Sequence, residues 1–369
     1  MTPPEWIWQQ PEWPNFTWQE TTLQPKLRAL YNRLGELKGK VSFVEGYDEF
    51  SLDTLLANIV ASSAIESEAL DVYAVRSSLA KQLGIAIDSP VAVSDKSQGV
   101  ASLMKDAVTQ WQEPLTLDVL LQWHLWLFQG QDSLLYPILG GELRGEVPMQ
   151  IVSGPINKPK IHYQAPARVG LEKELAGFIK WFNESQTNLS SDPLIRAAIS
   201  HLWFVTLHPF EDGNGRLTRA LTDRALAQAD QQTIRLYAMS EAILEKRSQY
   251  YVVLENTQKG GLDITLWVSW FFDTLLDALN EALNKINRTL FKTKFWLQHS
   301  EKQLADSQRK VLNRLLEGEF LQGINATQYQ RVAKVSKATA TRHLAALVEA
   351  DLLKKLPGGG RSTRYALVK

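Results

Sequence analysis

The chain has 369 residues and balances 40 Lys/Arg against 40 Asp/Glu, so a net charge of zero gives no whole-molecule argument for a nucleic-acid or membrane-surface partner. It has no cysteine, which excludes disulfides, thiolate metal sites and cysteine nucleophiles. Hydrophobic residues make up 44%, enough for a sizeable core, yet no apolar stretch nears the roughly 20 residues a membrane span needs and no leader pattern opens the chain, so a soluble, cytoplasmic protein is expected.

Residues 1–20 set Trp6, Trp8, Trp13 and Trp18 among Pro3, Pro4, Pro11 and Pro14. Proline fixes φ and removes a donor, so an extended arm is expected here. Its indoles should pack on the body; a docking surface for a partner is the other reading. Over 21–45, Leu23, Leu27, Leu30, Tyr31 and Leu34 share one helical stripe. Over 52–66, Leu52, Leu55, Leu56, Ile59, Val60 and Ser63 keep the same period. Helical patterns continue at 68–84, 97–110 and 116–129, with a connection over 132–139. Residues 142–163 change character: Val147, Met149, Ile151 and Val152, with Gly145, Gly154 and Pro155, predict a hairpin.

Residues 167–185 predict an amphipathic helix through Leu171, Leu175, Phe178, Ile179 and Phe182. Asp192 and Pro193 then open another, as cap and first-turn residue. From Leu194 to Leu207 that helix is apolar nearly all round, which marks it as buried and therefore a rigid mount for the residues at its end. His201 is expected to be a satisfied core histidine, because no HExxH spacing supports a metal site.

The helix runs into the stretch His208-Pro209-Phe210-Glu211-Asp212-Gly213-Asn214-Gly215-Arg216-Leu217-Thr218-Arg219. Gly213, Asn214 and Gly215 form a short loop whose backbone N–H groups can converge on an anion, and the next helix adds its positive dipole end. Arg216 and Arg219 are three apart, so they share a helix face and can grip one polyphosphate. Asp212 is a hard oxygen ligand suited to a Mg²⁺ held mainly by phosphates. His208 is a base that can take a proton near neutral pH. Pro209 stops the helix, and Phe210 should anchor the loop to the core. No GxxxxGK[ST] occurs, so this is not a Walker loop. The set reads as phosphoryl or nucleotidyl transfer.

Beyond it, 216–229 predict a helix with Leu217, Ala220, Leu221 and Ala225 toward the core, and 238–258 another carrying Tyr250 and Tyr251. Asp263 caps an apolar helix over 264–283, and 286–300 extend the helical run toward a linker. The pattern restarts near Asp306. Three helices (through Val311 to Leu316, 326–332 and 338–350) precede a hairpin over 352–367, the order of a winged helix-turn-helix. Ser336, Lys337, Thr339, Thr341, Arg342 and His343 would form its exposed recognition face, with Lys354, Lys355, Arg361 and Arg364 on the wing. Residues 326–369 hold nine Lys/Arg and two Asp/Glu, a net of +7, which suits phosphate contacts; dimer or protein docking is the other use of such a module.

The loop resembles the Fic family signature HPFx[DE]GNGRxxR at every fixed position. The resemblance implies a mainly α, Fic-type helical bundle with a small β-hairpin flap. It also implies transfer of AMP from Mg·ATP to a Ser, Thr or Tyr hydroxyl of a target protein, the chain itself included. On this resemblance Ile161, His162 and Tyr163 are flap positions near the nucleotide, Tyr250 and Tyr251 flank the adenine with Gln258, and Leu217 and Thr218 belong to the nucleotide-binding run. The flap would register the target by strand addition. Ser62-Ser63-Ala64-Ile65-Glu66-Ser67 resembles the family's inhibitory motif [ST]xxxE[GN], in which Glu66 would pair with Arg219; Ser67 departs from its last position. Expected divisions are 1–110 for the arm and inhibitory region, 111–300 for the catalytic core and 301–369 for the winged helix, with a homodimer by resemblance. Other readings are a DNA-binding regulator with a nucleotide-sensing core, and a transferase using another nucleotide such as UTP.

Overall fold

The computed structural model describes residues 5–43, 47–130, 138–155, 158–187, 192–232, 236–358 and 363–368. Among them are fourteen α-helices and four strands. In chain order the helices are α1 (Glu20–Val41), α2 (Tyr47–Ile65), α3 (Val72–Leu83), α4 (Asp95–Thr109) and α5 (Leu117–Leu127). The hairpin strands β1 (Gln150–Ser153) and β2 (Lys160–Gln164) come next. They lead into α6 (Leu171–Glu184), α7 (Pro193–Leu207), α8 (Asn214–Asp230), α9 (Met239–Glu245), α10 (Arg247–Gln258) and α11 (Thr265–Gln298). The chain closes with α12 (Asp306–Leu316), α13 (Ala326–Ala333), α14 (Lys337–Glu349), β3 (Leu353–Lys355) and β4 (Tyr365–Leu367).

Two compact units divide the chain: residues 1–37 with 46–282, and residues 38–45 with 283–369. In the first, α7 is the axis. Every residue from Leu194 to Leu207 is buried. Asp192 accepts hydrogen bonds from the amides of Leu194 and Ile195, satisfying two of the orphan donors at the helix start. Burying a side chain such as Phe204 or Leu202 contributes about 1.5–3 kcal/mol, which fixes this helix firmly. His201 inside it is fully buried and satisfied: Thr222 Oγ1 is 2.9 Å from Nδ1 and Tyr250 Oη 3.0 Å from Nε2. The helix packs along α8, whose Leu217, Ala220, Leu221 and Ala225 are all buried.

The second unit buries Val311 and Leu312 of α12, Tyr329 of α13 and Leu344 and Leu347 of α14 in one cluster with Leu352 and Leu353. Its strands pair antiparallel, Leu353 opposite Leu367 and Lys355 opposite Tyr365.

Several expectations are corrected. The arm is not wholly extended: Ile7–Gln9 form a 3-10 turn, closed by Gln9 Oε1 accepting from the amides of Glu5 and Trp6. Tyr31 is 45% exposed rather than core, because its hydroxyl reaches out to Asp192. The single helix expected over 238–258 breaks at Lys246 (φ −108°, ψ 23°), while the two runs over 264–300 are one helix, α11. Val147 is 80% exposed and precedes the hairpin. His343 is half-buried against Tyr329 Oη, and Arg364 donates to Gly323 O, so neither is freely displayed. Pro3, Pro4, residues 132–137, Gly359, Gly360 and Arg361 lie outside the described residues.

Candidate active site

The end of α7 decides where His208 stands. Its backbone is left-handed (φ 49°, ψ 56°), a conformation that turns the chain out of the helix. Arg144 holds that turn. Its Nε donates to His208 O at 2.9 Å, its own amide donates to Pro209 O at 3.0 Å, and Nη2 donates to Pro166 O at 2.6 Å. Arg144 is 2% exposed. His208 Nδ1 lies 3.2 Å from Val205 O; a carbonyl can only accept, so Nδ1 carries the hydrogen and Nε2 keeps its lone pair. Burial drives the imidazole pKa down to about 4, and the Arg144 charge acts in the same direction. The Val205 bond, Glu66 and Asp212 pull the other way and lose. His208 is therefore a neutral base at pH 7.

The loop is closed by its own residues. Asn214 Oδ1 accepts from Phe210 N at 3.0 Å while Asn214 Nδ2 donates to Phe210 O at 2.7 Å. Gly213 has φ 79°, and a Cβ there would meet Leu127 and Phe128 carbons at 2.7 and 2.9 Å, so only glycine fits. Phe210 is fully buried and stacks on His124 at 4.1 Å. His124 Nδ1 accepts from Gly141 N at 2.9 Å. Its Nε2 must then carry the hydrogen that is donated to Asp212 O at 3.2 Å. Burial lowers its pKa to about 4, so this tautomer is fixed at neutral pH.

Two carboxylates reach the loop arginines from the end of α2. Glu66 Oε1 is 2.9 Å from Arg219 Nη2, and Glu66 Oε2 accepts from Tyr251 Oη at 3.2 Å. Arg219 also donates to Ser62 Oγ and Ser62 O, both at 2.8 Å. Glu68 pairs with Arg216 and, at 2.5 Å, with Lys96. Burial favours a raised Glu66 pKa, but Arg219 and Tyr251 outweigh it and hold the carboxyl below its ordinary range. The turn that delivers Glu66 is a Schellman motif: Glu68 N donates to Ser63 O and Ser67 N to Ala64 O, with Ser67 left-handed at φ 63°. That position favours Gly or Asn, which is the physical content of the departure at Ser67. A Cβ on Gly215 would stand 2.1 Å from Glu66 Oε1, so the carboxylate occupies space that only a glycine leaves open.

A cleft of about 700 Å³ joins these parts. His208, the Gly213-Asn214-Gly215 loop and Asp212 line it, as do Glu66, His162, Tyr163, Tyr250, Tyr251 and Gln258. Ile161 is 40% exposed and does not line it, and Leu217 and Thr218 are fully buried in the body of α8, so their side chains are not presented to a ligand. The guanidinium groups of Arg216 and Arg219 are nearly buried and stand outside the lining, yet Arg216 Nε and Arg219 Nη1 have no hydrogen-bond partner among the described residues. Unspent buried donors beside a glycine loop suit an incoming polyphosphate. Asp212 lines the cleft and is 58% exposed; its Oδ1 accepts from Gly213 N, and its Oδ2 stands 3.6 Å from Arg216 Nη2. Among the described residues no group of three His, Asp or Glu could hold a metal unaided, so this lone carboxylate could serve only a cation whose other ligands come from a substrate. His162 is shared between Glu255 (2.8 Å) and Ser153 (2.6 Å), tying the hairpin to α10.

Arg144, His124 and Glu68 had escaped sequence reasoning. A lone arginine after two glycines carries no spacing signal. His124 had one, as a histidine within the apolar run of α5. Glu68 lies just past the Ser62-Ser63-Ala64-Ile65-Glu66-Ser67 stretch.

Residues 114–226 match the model of the Fic/DOC family, and residues 6–85 match a domain of unknown function, DUF4172. The chain is 34% identical over 90 residues to "Protein adenylyltransferase fic-1" of Caenorhabditis briggsae, spanning 24% of this chain and 16% of that protein. It is 32% identical over 126 residues to "Protein adenylyltransferase Fic" of Drosophila grimshawi, spanning 34% of this chain and 23% of that protein. The match thus covers less than a quarter of either relative's length. In fold, a Fic family protein from Desulfovibrio desulfuricans G20 superposes with TM-score 0.50 at 21% identity, over 93% of this chain and 96% of that one. A Fic domain containing signaling protein from Bacteroides thetaiotaomicron VPI-5482 gives 0.51 at 18%, over 71% and 97%.

Proposed function

We infer that this chain, in which residues 114–226 form a Fic domain, is a protein adenylyltransferase that moves AMP from ATP to a hydroxyl of a target protein. The observation that carries the reading is one cleft lined both by His208, with its free Nε2, and by the Gly213-Asn214-Gly215 turn, beside two arginines with unspent donors.

The steps derive from the groups present. ATP phosphates lie over the loop amides, with Arg216 and Arg219 stabilising charge on the pyrophosphate. His208 Nε2 takes the proton of a Ser, Thr or Tyr hydroxyl. That oxygen bonds to the α-phosphorus, the bond from the α-phosphorus to its β-bridging oxygen breaks, and pyrophosphate leaves. Mg²⁺, held by Asp212 together with the phosphates, would supply charge neutralisation. Tyr250, Tyr251 and Gln258 border the space left for the base, and His162 and Tyr163 that beneath the hairpin. Losing the base should cost on the order of 10² to 10⁴ in rate.

The chain is autoinhibited in this reading. Glu66 occupies the Arg219 guanidinium that the γ-phosphate needs, and Glu68 occupies that of Arg216. Residues 1–110 are then the regulatory region, 111–300 the catalytic core and 301–369 a winged helix. The net charge of +7 over 326–369, with Lys337 and Arg342 exposed on α14, supports DNA contact by that last region, and a gel shift with genomic fragments tests it. Incubating the Glu66→Gly variant with Mg·ATP and lysate, then measuring intact masses, tests the activity. A gain of one AMP that His208→Ala abolishes supports the reading; a gain of UMP with UTP alone, or no gain under any donor, refutes it.

A further inference from the structure

The matched domain of unknown function begins with the tryptophan arm, and the arm meets the hairpin at its inner strand. Trp6 is 2% exposed and stands edge-on to Tyr163 of β2, centroids 5.4 Å apart at 87°. Trp6, Tyr163 and Ala165 are buried as one cluster, with Trp8 and Met149 packed on it. The Trp8 indole N–H donates to Gln164 O, at the end of β2, at 2.9 Å. The arm is itself tethered. Thr17 N donates to Leu262 O and Ile264 N to Thr17 O, each at 2.8 Å, and Trp13 Nε1 donates to Glu174 of α6.

The hairpin needs this support. A lone two-stranded hairpin is marginal in water, and all four residues of β1 are exposed. Tyr163 is the buried residue of the pair of strands, and its hydroxyl donates to Thr206 O at 2.5 Å. Thr206 lies two residues before His208 on α7. Trp6, Tyr163 and Thr206 therefore run in series from the arm, through the hairpin, to the last turn of the helix that carries the base.

We propose that the tryptophan arm is a positioning element: Trp6 and Trp8 brace β2 from behind and so set the height and register of the free β1 edge over His208, where an extended acceptor segment of a target protein would pair. The inference rests on the adenylyltransferase reading for the purpose of the hairpin, but the brace itself is measurable without any activity. The arm's hydrogen bonds run to β2, α6 and the 262–264 segment, and Trp13 and Phe16 meet Trp203 of α7 edge-on; none of these contacts is with the loop or its arginines, and Gln164, which Trp8 holds, is not among the cleft-lining residues.

The test uses the full chain carrying Glu66→Gly, alone and with Trp8→Phe or Trp6→Ala. Trp8→Phe removes the indole N–H and keeps a ring, so the fold is retained. Hydrogen exchange of amides 150–153 and 160–164 should rise about tenfold in Trp8→Phe, the size expected for one lost hydrogen bond, and further in Trp6→Ala, with α8 unchanged. In Trp8→Phe, transfer should lose about tenfold in kcat, about 1.4 kcal/mol of barrier, with the KM for ATP unchanged, since Gln164 is not among the cleft-lining residues. Unchanged hairpin exchange in Trp8→Phe overturns the proposal, as does a kcat loss accompanied by an equal rise in the KM for ATP. Should Trp6→Ala fail to fold, Trp8→Phe decides alone. Should the Glu66→Gly parent transfer nothing, the functional reading falls while the exchange result still decides the brace.

Discussion

Glu66 and Arg219 form an ion pair at 2.9 Å in which the arginine side chain is 1% exposed and the glutamate 32%. The pair is thus buried on the arginine side and partly open to solvent on the glutamate side. Removing the carboxylate takes away the ion pair and the Tyr251 hydrogen bond and leaves a buried cation to be neutralised by a phosphate. Glu66→Gly should raise AMP transfer by about tenfold or more, each tenfold corresponding to about 1.4 kcal/mol of released competition. Labelling with α-³²P-ATP measures it; unchanged labelling, with His208→Ala still inactive, would remove the inhibitory role and keep the catalytic one.

Glu68 holds the other arginine and is itself held by Lys96. If both carboxylates compete with the triphosphate, Glu68→Ala should add to Glu66→Gly. The double variant is expected to bind ATP several-fold, about 3- to 10-fold, more tightly than Glu66→Gly alone, in line with coupling between neighbouring sites. Calorimetric titration reads this directly, and weaker binding in the double variant would make Glu68 a support for Arg216 and not a competitor.

Ser67 is left-handed at φ 63° in the Schellman turn that presents Glu66. A residue with a Cβ is strained there. Ser67→Gly should therefore stabilise the chain by about 0.5–1 kcal/mol, net of the freedom glycine gains when unfolded. The melting temperature should rise and, if Glu66 inhibits, basal transfer should fall, because the turn that presents Glu66 to Arg219 is the part stabilised. A drop in melting temperature would contradict the argument.

Arg144 donates to the carbonyls of His208 and Pro166 from a buried position. Lysine cannot serve both with a fork, so one carbonyl is left without its donor at a cost of about 1–3 kcal/mol. Arg144→Lys is expected to fold, melt earlier, and lose more than about tenfold in kcat, since small displacements of a base are costly. Thermal melts and single-turnover transfer check the two effects separately.

Acid should unfold this chain through its histidines. Burial holds His201 at about 3 and His124 and His208 at about 4, all below the ordinary 6.5. Each is neutral when folded and takes up a proton when unfolded below 6.5, so the unfolded state gains as pH falls. Stability should decline from about pH 6.5 down to about 3–4, beyond what the carboxylates explain. His201→Phe should flatten part of that slope in denaturant melts taken across the range.

The sequence by itself determined what lies close along the chain. The loop from His208 to Arg219 holds base, turn, carboxylate and both arginines in one run, and its spacing fixes its conformation through Pro209, Gly213 and Asn214. The burial of α7 was equally legible, since a helix apolar on every side has nowhere else to go. Boundaries set by competing local forces were not: the break at Lys246 and the fusion of two runs into α11 depend on packing rather than on periodicity. Tertiary structure alone decided which distant residues serve the loop. Arg144 lies 64 residues before His208, Glu68 148 before Arg216, and Trp8 156 before the strand it braces. Each is one ordinary side chain whose meaning comes from burial and from a partner's unspent hydrogen-bonding capacity, and neither of those is written in a linear pattern.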